Sequence, residues 1–240
     1  MSQQRRRRLI MARRKGIGLV LVMAISMIAG MTDAIGLLMA GDFVSFMSGN
    51  TTRAALAIGY GDWSTATILI SAVGFFIIGN ALGVVVAGWF RKRLAGLLGV
   101  VAILLCLAAI LPIEMRGSPA FFLVVLCMGM INATVEHIEG LPIGLTYVTG
   151  ALSRFGRGIG RWLTGDRRHD WIIQIVPWIG MVAGAVIGGL LTFEIGQQAL
   201  WVVAGATVAV ALFAFWVPNR LQTRFRAPSG SPAPRTAKGK

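Results

Sequence analysis

The chain has 240 residues, of which 56% are hydrophobic and 13% charged, with a mean hydropathy of +0.74. Several stretches run about 20 residues with almost no charge, which describes a polytopic membrane protein and leaves no room for a sizeable soluble domain. The net charge of +14 is no nucleic-acid signal, because 7 of the 23 Lys and Arg fall in residues 1–15 and 6 in residues 219–240; basic tails beside a bilayer set orientation or touch anionic lipid.

Residues 1–15 form a basic N-terminal tail with Arg5 to Arg8 and Arg13-Arg14-Lys15. The apolar run that follows, Gly16 to Ala40, is longer than the core of a signal peptide and shows no convincing cleavage site, so it reads as an uncleaved first helix. A short element follows at Phe43 to Gly59, interrupted by Ser48-Gly49-Asn50 and carrying Arg53. It is too short and too polar to cross. A second helix is expected at Trp63 to Phe90, then the basic turn Arg91-Lys92-Arg93, then a third helix at Leu94 to Ile113. The fourth helix is expected at Ala120 to Ile138, where Gly140 and Pro142 break the chain. A second short element spans Thr146 to Leu163, and helices five and six span Trp171 to Ile195 and Leu200 to Val217. Residues 219–240, rich in Pro, Ser, Gly, Lys and Arg, lack the apolar content to fold.

Charge decides whether the short elements cross. If neither does and the N-terminus is inside, Arg91-Lys92-Arg93, the cluster Arg157, Arg161, Arg167 and Arg168, and the C-terminal tail all face the cytoplasm. If both cross, Arg91-Lys92-Arg93 faces out. The expected fold is therefore an all-α integral membrane protein of six transmembrane helices plus two short re-entrant half-helices, with both termini cytoplasmic.

The chain also repeats itself. Gly30-Met31 aligns with Gly129-Met130, and Asp33-Ala34 with Asn132-Ala133. After a two-residue gap, Phe46-Met47-Ser48-Gly49 aligns with Tyr147-Val148-Thr149-Gly150, Arg53 with Arg154, and Gly79 and Gly83 with Gly180 and Gly184. Small residues alone recur cheaply in a membrane chain, but their register with a hydroxyl-glycine pair and an arginine points to duplication. Residues 16–116 and 117–218 form the two halves. Three crossings in each half make the second enter from the opposite side, an inverted 3+3 repeat with its site at the repeat interface.

The candidate site residues sit in that repeat. Ser48, Gly49 and Asn50, and Thr149 and Gly150, stand where a broken segment enters a half-helix, whose N-terminus offers backbone donors and partial positive charge to an anion. Arg53 and Arg154 add fixed charge with a geometry suited to carboxylate or phosphate, and arginine inside a membrane segment normally faces protein or water. Asp33, among apolar neighbours, is either a proton-coupling group or the partner of Arg53. Its counterpart Asn132 cannot ionise. Glu136, His137 and Glu139 form a polar cluster without metal-ligand spacing, suited to ion pairing at the membrane interface. Asn80, between Gly79 and Gly83, is placed to bond across helices. Cys106 and Cys127 lie in apolar segments and read as packing residues. No metal site, cofactor fingerprint, phosphate loop or catalytic set stands out, so no enzyme is expected.

At Gly30 to Gly49 and Gly129 to Gly150 the sequence resembles the YoaK-like family of bacterial multi-pass membrane proteins, a domain of unknown function. The resemblance is carried by Asp33-Ala34, Phe43 and Ser48-Gly49-Asn50, then by Met128 to Ala133 and Thr146 to Gly150, and covers about residues 16–217. Ser48 stands where the family usually has Thr, and Ile131 where it usually has a polar residue. The resemblance implies a protein of about six helices in the bacterial inner membrane and supplies no substrate. The expected partners are the lipid bilayer and a small, anionic solute or ion. The leading expectation is a transporter; a small-solute channel and a non-transporting scaffold that uses the basic tails are the rivals. The Gly-rich faces suit intrachain packing or a homo-oligomer equally.

Overall fold

The computed structural model describes residues 3–112, 116–133, 137–138, 141–142, 148–167, 169 and 171–217. Its elements are α1 (Gln3–Ala40), α2 (Met47–Gly59), α3 (Trp63–Trp89), α4 (Arg93–Ile110), α5 (Pro119–Asn132), a two-residue antiparallel pair β1 (His137–Ile138) and β2 (Leu141–Pro142), α6 (Val148–Leu163), α7 (Val176–Ile195) and α8 (Ala199–Trp216). Four helical stretches, Gly16–Ala40, Trp63–Trp89, Arg93–Ile110 and Ile172–Trp216, are long and apolar enough to cross a bilayer. The last holds two helices. Gly196 adopts φ 56°, a left-handed conformation that glycine takes without a Cβ clash, and the chain turns there from α7 into α8.

Two expected boundaries move. Helix α1 begins at Gln3, so the basic stretch before Lys15 continues the first helix backwards rather than standing apart from it. Helix α5 ends at Asn132, short of the expected Ile138. Its 14 residues span roughly 21 Å at 1.5 Å each. The sequence beyond supplies the reason: the β-branched Thr134 and Val135, then charged Glu136 and Glu139, then Gly140 and Pro142 all disfavour a continued apolar helix.

Helix directions follow from specific contacts. Along α1 and α7, Gly180 lies against Met23, Gly184 against Met27 and Gly188 against Met31, so the two helices run parallel. Along α3 and α5, Gly79 lies against Leu126 and Gly83 against Met130, again parallel. In both seams an added Cβ would overlap the neighbour's backbone, so glycine sets the interhelical distance. Helices α4 and α8 are antiparallel. Gln197, before α8, donates to the carbonyls of Ala109 and Leu111 at the end of α4. Lys92, before α4, donates to those of Phe215 and Val217 at the end of α8. Each pair of chain ends thus caps the other's unsatisfied carbonyls.

The core lies where α1, α4, α5 and α8 meet, with Ile25, Ile28, Leu97, Leu105, Phe121, Met128 and Val203 fully buried. Outward faces are apolar too. Ile70, Ile77 and Val84 of α3 and Phe193 of α7 are exposed, as lipid-facing surface requires. Trp63 and Trp89 bracket α3 at 66% and 75% exposure, about 39 Å apart along a helix of this length, a spacing that suits aromatic rings at the two interfaces of a bilayer.

Candidate functional site

Between α1 and α2 the chain folds back on itself. Gly41, at φ 76°, turns it out of α1. Residues 42–46 then descend along α1 to the level of Asp33, which lies seven residues and so roughly 10 Å below the end of that helix. The carboxylate of Asp33 is buried and accepts hydrogen bonds from the backbone N–H of Val44 (2.9 Å) and of Ser45 (2.7 Å) on one oxygen, and from the Ser45 hydroxyl on the other. Gly36 makes room for the descent, since a Cβ there would strike Val44. From this low point α2 climbs back along α3, burying Asn50, Ala54 and Ala57. With 13 residues it reaches only about 20 Å, less than the roughly 30 Å of a bilayer's hydrocarbon core.

The motif residues act within this fold-back. Asn50 is fully buried, and its side-chain amide donates to the Phe43 carbonyl (2.6 Å) and accepts from the Phe43 N–H (3.3 Å). Asn50 therefore clasps the descending segment instead of capping α2, whose N-cap, Phe46, makes no side-chain cap bond. Gly49 lies beneath the edge-on pair Phe43–Phe46, and a Cβ on it would overlap the Phe46 ring. Ser48 is exposed in the first turn of α2, and its carbonyl accepts from the Thr52 hydroxyl.

Arg53 does not meet Asp33. Its guanidinium lies 2.7 Å from Asp42 and donates to the Gly41 carbonyl at 2.7 Å. Asp42 is fully buried and also takes Arg116 at 2.8 Å, while Arg116 reaches on to the Thr65 hydroxyl at 3.1 Å. Both contacts on Asp42 are close ion pairs rather than well-aligned hydrogen bonds. This Arg53–Asp42–Arg116 cluster joins the end of α1, α2, the start of α3 and the α4–α5 turn, and its net charge is one positive. Sequence reasoning passed over Asp42 and Arg116. The available signal was the rarity of acids, nine in the whole chain, with Asp42 directly behind a glycine that ends an apolar helix.

The second half differs. Helix α6 spans 16 residues and presents Ala151, Arg154 and Gly158 towards the short 3-10 turn Ile172–Ile175 and the start of α7. Arg154 Nε donates to the buried Gln174 Oε1 at 2.8 Å. Burial first, and then the positive Arg157, lower the pKa of the Arg154 guanidinium from its ordinary value. Phe155 packs edge-on against Trp171. Thr149 is exposed and Gly150 half-buried. Asn132, the counterpart of Asp33, donates to Asn80 Oδ1 at 3.3 Å, which is the cross-helix bond expected of Asn80. The side chains of Glu136, His137 and Glu139 lie outside the described residues, and among those described no group of three metal-ligating residues occurs. Cys106 and Cys127 are free thiols within the helix packing.

Arg53 and Arg154 are not brought together. Gln174 precedes α7 and lies level with the N-terminal part of α1, whereas Asp42 follows its C-terminal end, roughly 35 Å further along the axis. The two halves thus place their arginines at opposite ends of the helix bundle.

Residues 21–213 match the model of a family described as "Protein of unknown function (DUF1275)". The chain belongs to that family. It is 54% identical over 227 residues to the UPF0700 transmembrane protein RA0705 of Rhizobium meliloti (strain 1021), a match covering 94% of this chain and 98% of the relative. No solved structure matches. The DUF1275 match takes in the Asp33 fold-back, the Arg53–Asp42–Arg116 cluster and the Arg154–Gln174 pair together, and the protein is a multi-pass membrane protein.

Proposed function

We propose that this DUF1275 protein is a transporter for a small anionic solute, built as an inverted 3+3 repeat in the bacterial inner membrane with both termini cytoplasmic. One observation carries the reading: helix pairing survives exchange of the halves. The parallel pair α1–α7 becomes the parallel pair α5–α3, and the antiparallel pair α4–α8 maps onto itself. Paired halves that enter from opposite sides are the common ground plan of alternating-access carriers. The opposite placement of Arg53 and Arg154 supports the same reading, as does the positive-inside distribution of Arg91-Lys92-Arg93, Arg157, Arg161 and Arg167.

The halves divide the work. In the first, the fold-back at the start of α2 has its own anion in Asp33, and Arg53 has Asp42. In the second, Asn132 brings no charge and Arg154 has a neutral partner in Gln174. Among the described residues, the short helix whose arginine has no acidic partner is therefore α6, where Thr149, Gly150 and Arg154 would meet the solute. Asp33 would act on the cycle from the first half, because a proton on its carboxyl removes acceptors that hold residues 44–45 against α1.

Thermal unfolding of the detergent-solubilised protein with a panel of small carboxylates, phosphate and sulfate tests this, because a ligand that binds only the folded state raises stability with its occupancy. A shift in the wild type that is lost in Arg154→Gln, followed by uptake of that anion into proteoliposomes, is the expected result. No shift across the panel with Arg154→Gln normally folded would overturn the anion site and favour a scaffold.

A further inference from the structure

A groove of about 930 Å³ lies between α4 and α8 and ends at the α3–α4 turn. Its walls are apolar, with Ala95 and Gly99 on α4 and Ala211, Leu212 and Phe215 on α8. At Gly99 a Cβ would meet nothing within 4 Å, so the groove is open there, while at Gly96 the Phe90 ring lies against the backbone of α4.

The end of the groove is basic. Arg91 and Lys92 line it, and the exposed Arg93 follows as the first residue of α4. Lys92 Nζ lies 5.4 Å from the centroid of the Phe215 ring and donates to the carbonyls of Phe215 (2.8 Å) and Val217 (3.1 Å). Those partners are dipoles. They fix the ammonium at the end of the groove without cancelling its charge, and among the described residues no carboxylate pairs with Lys92. The N-terminal end of the 18-residue α4 adds partial positive charge at the same place.

Any apolar membrane face is covered by lipid tails, so a slot alone would select nothing. A slot ending in fixed positive charge at the level of the headgroups does select, because basic pockets between membrane helices favour anionic headgroups. We infer that the α4–α8 groove is a specific site for an anionic phospholipid. One acyl chain lies along Ala95, Gly99 and Leu212, and Arg91, Lys92 and Arg93 hold the phosphate. The site requires only that α4 and α8 are membrane helices and is independent of any transport cycle.

The test uses the full-length protein in detergent with phosphatidylglycerol or phosphatidylcholine of identical acyl chains, read by lipid titration of the unfolding temperature. The wild type is expected to bind phosphatidylglycerol roughly tenfold or more tightly than phosphatidylcholine. Arg91→Gln/Arg93→Gln, which leaves the Lys92 contacts in place, should bring the two lipids close together, and adding Lys92→Gln should remove the remaining difference. Gly99→Leu fills the slot and should weaken both lipids without lowering the unfolding temperature in lipid-free detergent. Equal binding of the two lipids by the wild type would overturn the inference. So would undiminished phosphatidylglycerol binding by a folded Gly99→Leu variant. Soluble glycerol 3-phosphate stabilising the wild type as strongly as phosphatidylglycerol would also overturn it, since it would reveal an anion site that needs no acyl chain.

Discussion

The carboxylate of Asp33 accepts both the backbone N–H of Ser45, at 2.7 Å, and the Ser45 hydroxyl. With the Val44 N–H this gives three donors converging on one buried acid, and they hold the descending chain against α1. Asp33→Ala would leave buried donors unsatisfied at roughly 1–3 kcal/mol each. Ser45→Ala removes one donor together with its need for a partner and should cost about 1 kcal/mol. Asp33→Asn keeps an acceptor oxygen and should fall between them. Thermal unfolding of the three variants checks the order; equal losses for Asp33→Ala and Ser45→Ala would mean that the fold-back does not hang on Asp33.

Asp42 is fully buried between Arg53 and Arg116, each of which is about one-third exposed. Solvent screening of the arginines tempers each pair, so Arg53→Ala or Arg116→Ala alone should cost about 1–2 kcal/mol. Both changes together strand a buried carboxylate and should cost more than their sum. Asp42→Asn added to the double variant should recover part of the loss. Unfolding of the full set as a double-mutant cycle measures the coupling.

Gly184 lies directly against the backbone of Met27, so a Cβ there forces α1 and α7 apart. Gly184→Ala should destabilise by about 1–3 kcal/mol through overpacking. Gly189, five residues on, has nothing within 4 Å of an added Cβ, and Gly189→Ala should be neutral or stabilising by up to about 1 kcal/mol through helix propensity. Comparing folded yield and unfolding temperature of the two variants separates a packing role from a mere preference for glycine.

Asp62 caps α3 by accepting the Thr65 N–H at 3.0 Å. Hydrogen bonds from Thr65 hold its carboxyl below the ordinary aspartate range. A depressed folded-state pKa contributes stability that is present above the unfolded value and lost as pH falls through the folded one. The difference in unfolding temperature between wild type and Asp62→Ala should therefore be full at neutral pH and shrink on acidification below the usual aspartate pKa. A difference independent of pH would mean that the cap acts without its charge.

Much of the architecture is legible in the residues themselves. A helix with a continuous apolar surface needs no distant partner to announce it, so Trp63–Trp89 appears within a residue of the expected Trp63 to Phe90. The short elements are marked by local breaks, Gly41 on one side and Gly59 to Gly61 on the other, and α2 falls within the expected span. The expected self-alignment sets Gly79 on Gly180, and both sit in helix seams. The early end of α5 was harder to read, because the apolar Ala133 and Val135 extend the hydropathy pattern past the last helical residue.

The candidate site was only partly legible. The sequence singled out Asn50, Arg53 and Arg154 as solute-binding candidates and Asp33 as a coupling group or the partner of Arg53; each of the four has a polar partner within the protein. It could not assign those partners. Asp33 and Asp42 were both within reach of Arg53 along the chain, and the left-handed turn at Gly41 settled the choice by carrying residues 44–45 down onto Asp33 while Asp42 stayed at the rim beside Arg53 and Arg116.

By itself the sequence determined the membrane class and most of the helical segments, because hydropathy and chain-breaking residues are local or one-dimensional properties. Only the tertiary structure decided that Asp33 serves the backbone, that Asp42 is shared between Arg53 and Arg116, and that Arg53 and Arg154 sit near opposite ends of α1. Ion pairs and hydrogen bonds form between groups a few ångströms apart, and that proximity is set by the direction of a turn and the register of two packed helices.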